Sequence, residues 1–286
     1  MSKLSDIGAI KQILNNHGFQ FSKSLGQNFL INPTVCPRMA EAGGAAKGCG
    51  VLEIGPGIGV LTYELAQRAD KVVAVELDRR LLPVLEETLA DFHNVVVINN
   101  DILRVDLKGL LEREFGGMPV SVCANLPYYI TSPVIMKLLE EKLPIASLTV
   151  MVQKEAADRL CALPGTRQAG AVSVAVRYYA EPELLFKVSR GSFLPAPNVD
   201  SAVIRLRVRS QPAVAVREEA FFFHVVRAAF SQRRKTVHNS LSAGLHLPKE
   251  AVGKALAQTG ISPSARAEQL TVEQFAALSD VLCQQQ

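Results

Sequence analysis

Five stretches of uninterrupted apolar sequence, each about the length of one strand, constrain this chain most: GVLEIG (50–55), KVVAVE (71–76), NVVVIN (94–99), VSVCAN (120–125) and SLTVMVQ (147–153). Val and Ile dominate them, and hydrophobicity that runs on instead of alternating suits strands covered on both faces. Between them lie segments with helical spacing, such as LTYELAQRA (61–69) and RRLLPVLEETLADF (79–92). Strand and helix in alternation predict βαβ units and an α/β, doubly wound sheet, with its site at the carboxyl ends of the strands.

After Arg167 the pattern changes. RYYAEPELLFKV (177–188) and SAVIRLRVR (201–209) read as later strands, the second carrying Arg205, Arg207 and Arg209 on one face. QPAV (211–214) reads as a linker. Beyond it EEAFFFHVVRAAFSQRRKTVHNSLSAGL (218–245) and KEAVGKALAQTG (249–260) read as helical, as does TVEQFAALSDVLCQ (271–284) with Thr271 as its N-cap. The expected division is a sheet domain over 1–210 and a small all-helical domain over 211–286.

A 286-residue chain that is 48% hydrophobic has ample material for a buried core. The N-terminal MSKLSDIGAI is too polar for a signal peptide, and no apolar run reaches membrane-spanning length, so a soluble, cytoplasmic protein is expected. Cys36, Cys49, Cys123, Cys161 and Cys283 are scattered and never paired as CxxC, which argues against a disulfide framework or a zinc site. Neither HExxH nor GxSxG occurs, so metal or serine hydrolysis has no support.

VLEIGPGIGVLT (51–62) places Gly55, Gly57 and Gly59 between a strand and a helix, where glycine lets the backbone turn sharply and a ligand approach closely. Glu76 ends the next strand, placed to accept hydrogen bonds from both hydroxyls of a ribose. Two cofactors share this geometry. A dinucleotide loop wants a third small residue where Val60 stands, whereas the observed spacing is G-x-G-x-G, and Glu53 ahead of it is more usual with S-adenosylmethionine. Asp101, after the third strand, suits an adenine amino group. S-adenosylmethionine is the better reading.

NLPY (125–128) follows the fourth strand of that sheet. Alone it reads as a turn; at this place it reads as a site. The exocyclic nitrogen of adenine is a poor nucleophile because its lone pair is delocalised into the ring. Two acceptors holding its N–H bonds, the Asn125 side-chain carbonyl and the Leu126 main-chain carbonyl, favour a pyramidal nitrogen aimed at a sulfonium methyl. Pro127 stiffens the turn and Tyr128 offers a stacking face for a base taken out of its helix or loop.

These motifs, with KSLGQNFLIN (23–32), VELD (75–78), NNDIL (99–103), QKEAADRL (153–160), FLPAPNVDSAVIRL (193–206) and FSQRRKTVHNSL (230–241), closely resemble the S-adenosylmethionine-dependent ribosomal RNA adenine N6-dimethyltransferases. The resemblance runs from about residue 20 to 242. It is closest to the branch that dimethylates two adjacent adenines near the 3′ end of small-subunit RNA, with a role in small-subunit maturation. It implies a Rossmann-like class I methyltransferase sheet and a cofactor site formed by Asn28, Leu30, Gly55, Gly57, Glu76, Asp101 and Asn125. It also implies that Phe193 stacks on the adenine opposite Tyr128. Two departures are visible: Ala124 stands where Gly is usual, and His238 where Arg is common.

Residues 205–240 carry eight basic side chains against Glu218 and Glu219, in a chain of net charge +4. One basic band on a nearly neutral body is the footprint of a polyanion binder, and the resemblance supplies small-subunit RNA, or a pre-30S particle, as the partner. Arg233, Arg234 and Lys235 are then candidate phosphate contacts. Nothing calls for an obligate dimer, and a monomer is expected. Rival readings are a large-subunit RNA dimethyltransferase, which more often has Ile at 126 and lacks VDSAV (199–203), and a DNA adenine methyltransferase, which shows two prolines after the Asn. An RNA-binding factor that no longer methylates is opposed by intact Glu76, Asp101, Asn125 and Tyr128, and a nicotinamide oxidoreductase by Val60 and NLPY.

Overall fold

The computed structural model describes residues 6–22 and 26–284. Lys23, Ser24 and Leu25 of KSLGQNFLIN, and Met1–Ser5 of the polar N-terminal stretch, lie outside the described residues. The elements run α1 (Ile7–Asn16), β1 (Phe29–Leu30), α2 (Val35–Ala42), β2 (Gly50–Ile54), α3 (Val60–Ala66), β3 (Lys71–Glu76), α4 (Leu82–Thr88) and β4 (Val95–Asn99). They continue as α5 (Leu107–Phe115), β5 (Val120–Asn125), α6 (Thr131–Glu140), β6 (Ile145–Gln153), α7 (Lys154–Cys161), α8 (Ala171–Tyr179), β7 (Ala180–Val188), β8 (Phe193–Leu194) and β9 (Ser201–Val208). Four further helices close the chain: α9 (Glu219–Phe230), α10 (Val237–Leu245), α11 (Lys249–Gln258) and α12 (Val272–Cys283).

All five expected strands form, and they join β7 and β9 in a seven-stranded sheet of order β4-β3-β2-β5-β6-β9-β7. From β2 to β4 the chain winds toward one edge, and from β5 to β6 toward the other, so the order reverses between β2 and β5. Those two strands are parallel, with Glu53 opposite Cys123 and Ile54 opposite Ala124. A crevice opens beyond the carboxyl ends of strands at such a switch point. Strand β2 is buried throughout and β5 nearly so, as their continuous apolar runs require. Strand β4 departs from that expectation: NVVVIN is only half-buried, because β4 is the sheet's edge.

Local signals set the helix limits. Asp106 caps α5 by accepting from the Gly109 N–H at 3.1 Å, and Gly116 ends it in the left-handed region at φ 54°. Ile10 of α1, Met39 and Ala40 of α2, and Leu65 of α3 meet Val51, Val72, Cys123 and Met151 in one buried cluster. Each such fully buried aliphatic side chain contributes about 1.5–3 kcal/mol.

The chain divides into two compact units, one reaching to Ala157 and including Glu183–Val208, the other Asp158–Pro182 with Arg209–Gln286. Residues 158–182, which a division at 210 assigns to the first domain, lie in the second unit. The reason is packing: the Tyr178 ring stacks on Phe222 at 5.1 Å and Tyr179 on Phe223 at 5.4 Å, and both hydroxyls donate to Glu219. The same contacts explain a correction. Arg177, Tyr178 and Tyr179, read from sequence as strand, end helix α8, because this burial overrides the strand preference of paired tyrosines.

The stretch 218–245, expected to be helical, forms two helices. Helix α9 stops at Ser231, whose hydroxyl donates back to the Ala228 carbonyl, and Thr236 caps α10 by accepting from the Asn239 N–H. The intervening SQRRK is an exposed turn. Thr271 caps α12 as expected, in a capping box with Gln274.

Candidate active site

At the switch point the chain must leave β2, turn and enter α3 within a few residues. Gly55, Gly57 and Gly59 all take positive φ to do so. At Gly57 the need is double, since φ is 62° and a Cβ would sit 3.2 Å from the Phe29 ring. The Gly57 N–H donates to Glu76 Oε2 at 3.1 Å, and the Asp78 N–H to Oε1 at 2.7 Å. Those two donors fix the Glu76 carboxylate at the end of β3. Burial pushes its pKa up, and the two N–H groups oppose that shift.

Next to β3, the turn after β4 presents Asp101. Its Oδ1 accepts from the Leu103 N–H at 2.9 Å, and Arg104 lies 3.7 Å from Oδ2. Beyond β5, the Leu126 N–H is tied to the Met151 carbonyl at 3.1 Å. Among the described residues nothing donates to the Asn125 side chain or to the Leu126 carbonyl. Both residues line the cavity. After Pro127 the chain makes one 3₁₀ turn, Tyr128–Ile130, and the Tyr128 hydroxyl meets the buried Ser201 hydroxyl at 2.9 Å.

The remaining wall comes from a pairing that no local pattern reveals. Strands β1 and β8 form a two-stranded antiparallel ribbon, with Phe29 opposite Leu194 and Leu30 opposite Phe193. Asn28 and Leu30 are thereby delivered to the mouth of the glycine turn, and Phe193 is buried at the same cavity. Asn28, Leu30, Gly55, Gly57, Glu76, Asp101, Asn125, Leu126, Pro127, Tyr128 and Phe193 all line one cavity of about 1160 Å³, measured to its open mouth.

Sequence reasoning missed Gln27, Phe29, Leu77, Ile102 and Tyr129, which line it too. Leu77 and Ile102 each follow a strand-end acid, a repeated acid–aliphatic pair that was a usable signal. Tyr129, half-exposed, lays its ring against Gly26, and no local signal marks that.

Charge decides between the two cofactors left by the glycine spacing. Glu53, Glu76 and Asp101 line the cavity, and no Lys, Arg or His does so among the described residues. Glu53 is 1% exposed, its Oε2 has no hydrogen-bond partner, and burial pushes its pKa to about 8. A pyrophosphate would find no basic side chain among the described residues here, whereas a ligand carrying an ammonium and a sulfonium meets carboxyl acceptors.

Arg233, Arg234 and Lys235 are not brought to this cavity; they sit exposed in the turn between α9 and α10 of the second unit. The strand part of the basic band is engaged in ion pairs, three arginines sharing two glutamates. Arg205 and Arg207 both bond Glu183, and Arg209 pairs with Glu181 at 2.9 Å. His238 is engaged by the Lys249 carbonyl at 2.8 Å, and Ala124 lies fully buried in β5.

A sheet of this order, a glycine turn after its first parallel strand, a fixed carboxylate at the end of the next and an acid-lined cavity define a class I S-adenosylmethionine-dependent methyltransferase. Residues 18–284 match the ribosomal RNA adenine dimethylase family, and the chain belongs to it. Similar proteins include the ribosomal RNA small subunit methyltransferase A of Geobacillus sp. (strain WCH70), 51% identical over 96% of each chain. That of Bacillus mycoides (strain KBAB4) is 50% identical over 99% of this chain and 98% of its own. Among solved structures, the 23S rRNA methyltransferase ErmE is similar at TM-score 0.68 and 32% identity, covering 90% of this chain and 100% of its own. A dimethyladenosine transferase from Plasmodium falciparum shares the fold at TM-score 0.70 and 24% identity, over 87% of this chain and 95% of its own. The enzyme is therefore an adenine dimethyltransferase of ribosomal RNA, with S-adenosylmethionine as methyl donor.

Proposed function

We propose that this enzyme dimethylates N6 of two adjacent adenines near the 3′ end of small-subunit ribosomal RNA, acting as a cytoplasmic monomer on a pre-30S particle. The single observation that carries the chemistry is a pair of acceptors with no donor among the described residues, the Asn125 side chain and the Leu126 carbonyl, on two residues that line the acid-lined cavity at the end of β5. The small-subunit assignment is supported by the names of the relatives that are about half identical over nearly the full length.

Bound S-adenosylmethionine supplies an electrophilic methyl on a sulfonium. Glu76, seated by the Gly57 and Asp78 N–H groups, accepts from the ribose hydroxyls, and Asp101 accepts from the adenine amine of the cofactor. Asn28 and Leu30 close the site from the β1–β8 ribbon, and Gly55 leaves room for close approach. The target base enters between Tyr128, held by Ser201, and Phe193. Its two N6–H bonds go to Asn125 and Leu126, which localises the nitrogen lone pair. No strong base is needed, because the proton leaves only after nitrogen has become cationic. Most of the rate comes from positioning.

Tritiated S-adenosylmethionine with unmethylated small and large subunits, followed by mapping of the label by reverse transcription, tests the substrate. Label on two adjacent adenines near the small-subunit 3′ end is expected. Label confined to the large subunit would keep the chemistry and overturn the substrate. For Asn125→Ala the expectation is methyl transfer reduced at least about tenfold with RNA binding retained, one positioned polar contact being worth ~1.4 kcal/mol or more. Near-normal turnover would remove Asn125 from the mechanism.

A further inference from the structure

Two residues that do not line the cavity tie its walls together. Asp78 accepts from the Arg80 side chain in a fork, Nε to Oδ1 at 2.9 Å and Nη2 to Oδ2 at 2.7 Å. The same Oδ2 accepts from Gln27 Nε2 at 2.7 Å, and Gln27 Oε1 accepts from the Ser22 N–H at 2.9 Å. Arg80 Nη1 reaches the Gln20 carbonyl at 3.3 Å, and its guanidinium lies 5.1 Å from the centre of the Phe19 ring. Through its own N–H, Asp78 holds Glu76. One acidic residue thus grips the ribose acceptor with its backbone and the segment leading to Asn28 with its side chain.

We propose that Asp78 and Arg80 are positioning residues for the cofactor. They fasten the segment bearing Gln27 and Asn28 to the strand end bearing Glu76, so that both walls of the cavity are set before a ligand arrives. The Arg80 fork holds the Asp78 carboxyl below its usual range, which keeps this pair charged at neutral pH. Phe29 on Gly57 and Gly26 on Tyr129 fix the same segment by packing, and among the described residues Asp78 joins it to Glu76 by hydrogen bonds, through its carboxylate to Gln27 and its N–H to Glu76. An Arg is required at 80, since a lysine ammonium cannot bridge both carboxylate oxygens while holding Gln20. Weakening the tie lowers the population of the competent arrangement, and apparent affinity falls by that fraction.

The inference rests on Glu76 and Asn28 being cofactor residues, so the experiment carries a control for that reading. S-adenosylmethionine binding is measured by calorimetry for wild type, Arg80→Ala, Arg80→Lys, Gln27→Leu and Glu76→Ala. Amide hydrogen exchange over residues 19–22 and 26–30 is followed in the ligand-free proteins. Arg80 is half-exposed, so its removal leaves the fold in place. Arg80→Ala and Gln27→Leu are each expected to bind about tenfold more weakly, with faster exchange confined to that segment, and Arg80→Lys not to restore either. Arg80→Ala binding as tightly as wild type, or with exchange unchanged, overturns the inference while loss in Glu76→Ala leaves the Glu76 reading intact. Undiminished binding by Glu76→Ala removes the reading beneath it and the inference with it.

Discussion

Glu53 is a carboxyl in the middle of a parallel strand, 1% exposed, with Thr62 beside it and the Glu76 charge nearby. The thiols of Cys36 and Cys123 face the same interior, and burial pushes both of their pKa values up. For Glu53 the rise is from 4.5 to about 8. Between those values the folded, ligand-free protein holds a proton that the unfolded chain has released. The contribution of Glu53 to stability is therefore fully present below the lower value and is lost as pH rises toward the upper one. Glu53→Gln, neutral throughout, is expected to melt close to wild type near pH ~5 and above it near pH ~9. Thermal unfolding without cofactor across that range is the check, and a gap that does not widen with pH would contradict the assignment.

Among the elements, α9 and α10 show how a single residue fixes a packing distance. A Cβ on Gly244 would lie 2.7 Å from the Ala228 Cβ and 3.0 Å from its Cα, and the obstruction is backbone, which cannot swing aside. Gly244→Ala therefore has to part the two helices, at a cost of about 1–3 kcal/mol of the kind that overpacked cores show. Chemical denaturation followed by circular dichroism should show the loss, with S-adenosylmethionine affinity unchanged because Gly244 belongs to the other unit. A gain in stability, as expected from helix propensity alone, would mean that the close approach does not govern this pair.

For the whole molecule the question is where an RNA backbone meets positive charge. A count along the chain gives a basic band from 205 to 240, but the strand arginines are spent on Glu181 and Glu183. The exposed cluster within the band is the turn holding Arg233, Arg234 and Lys235. Reversing all three to Glu is expected to weaken RNA binding and to flatten its logarithmic salt dependence by about two to three units, close to one per phosphate contact. Arg207→Ala, which removes a charge already paired, should leave that slope almost unchanged. Filter binding over a salt series distinguishes the two, and equal slopes for the triple variant and wild type would take the turn out of the interface.

Much of the fold is legible in the sequence alone. The runs at 50–55, 71–76 and 120–125 became strands within a residue of their expected ends, because burial on both faces leaves a signature in every residue of a parallel strand. The glycine turn, Glu76, Asp101 and NLPY were legible for a related reason: switch-point sites sit at strand ends, and strand ends are local features. Asn28, Leu30 and Phe193 entered only by resemblance, since the β1–β8 ribbon joins two short segments far apart in sequence. Tertiary structure alone decided three further things. Stacking of Tyr178 and Tyr179 on the second unit's phenylalanines turned an expected strand into helix. Ion pairing with Glu181 and Glu183 engaged three of the band's eight basic side chains. The Asp78 fork gave Gln27 and Arg80 a task that neither residue type announces. Periodicity and turn chemistry are written residue by residue, whereas the partner of a buried ring or a charge is set by which surfaces meet when the chain closes on itself.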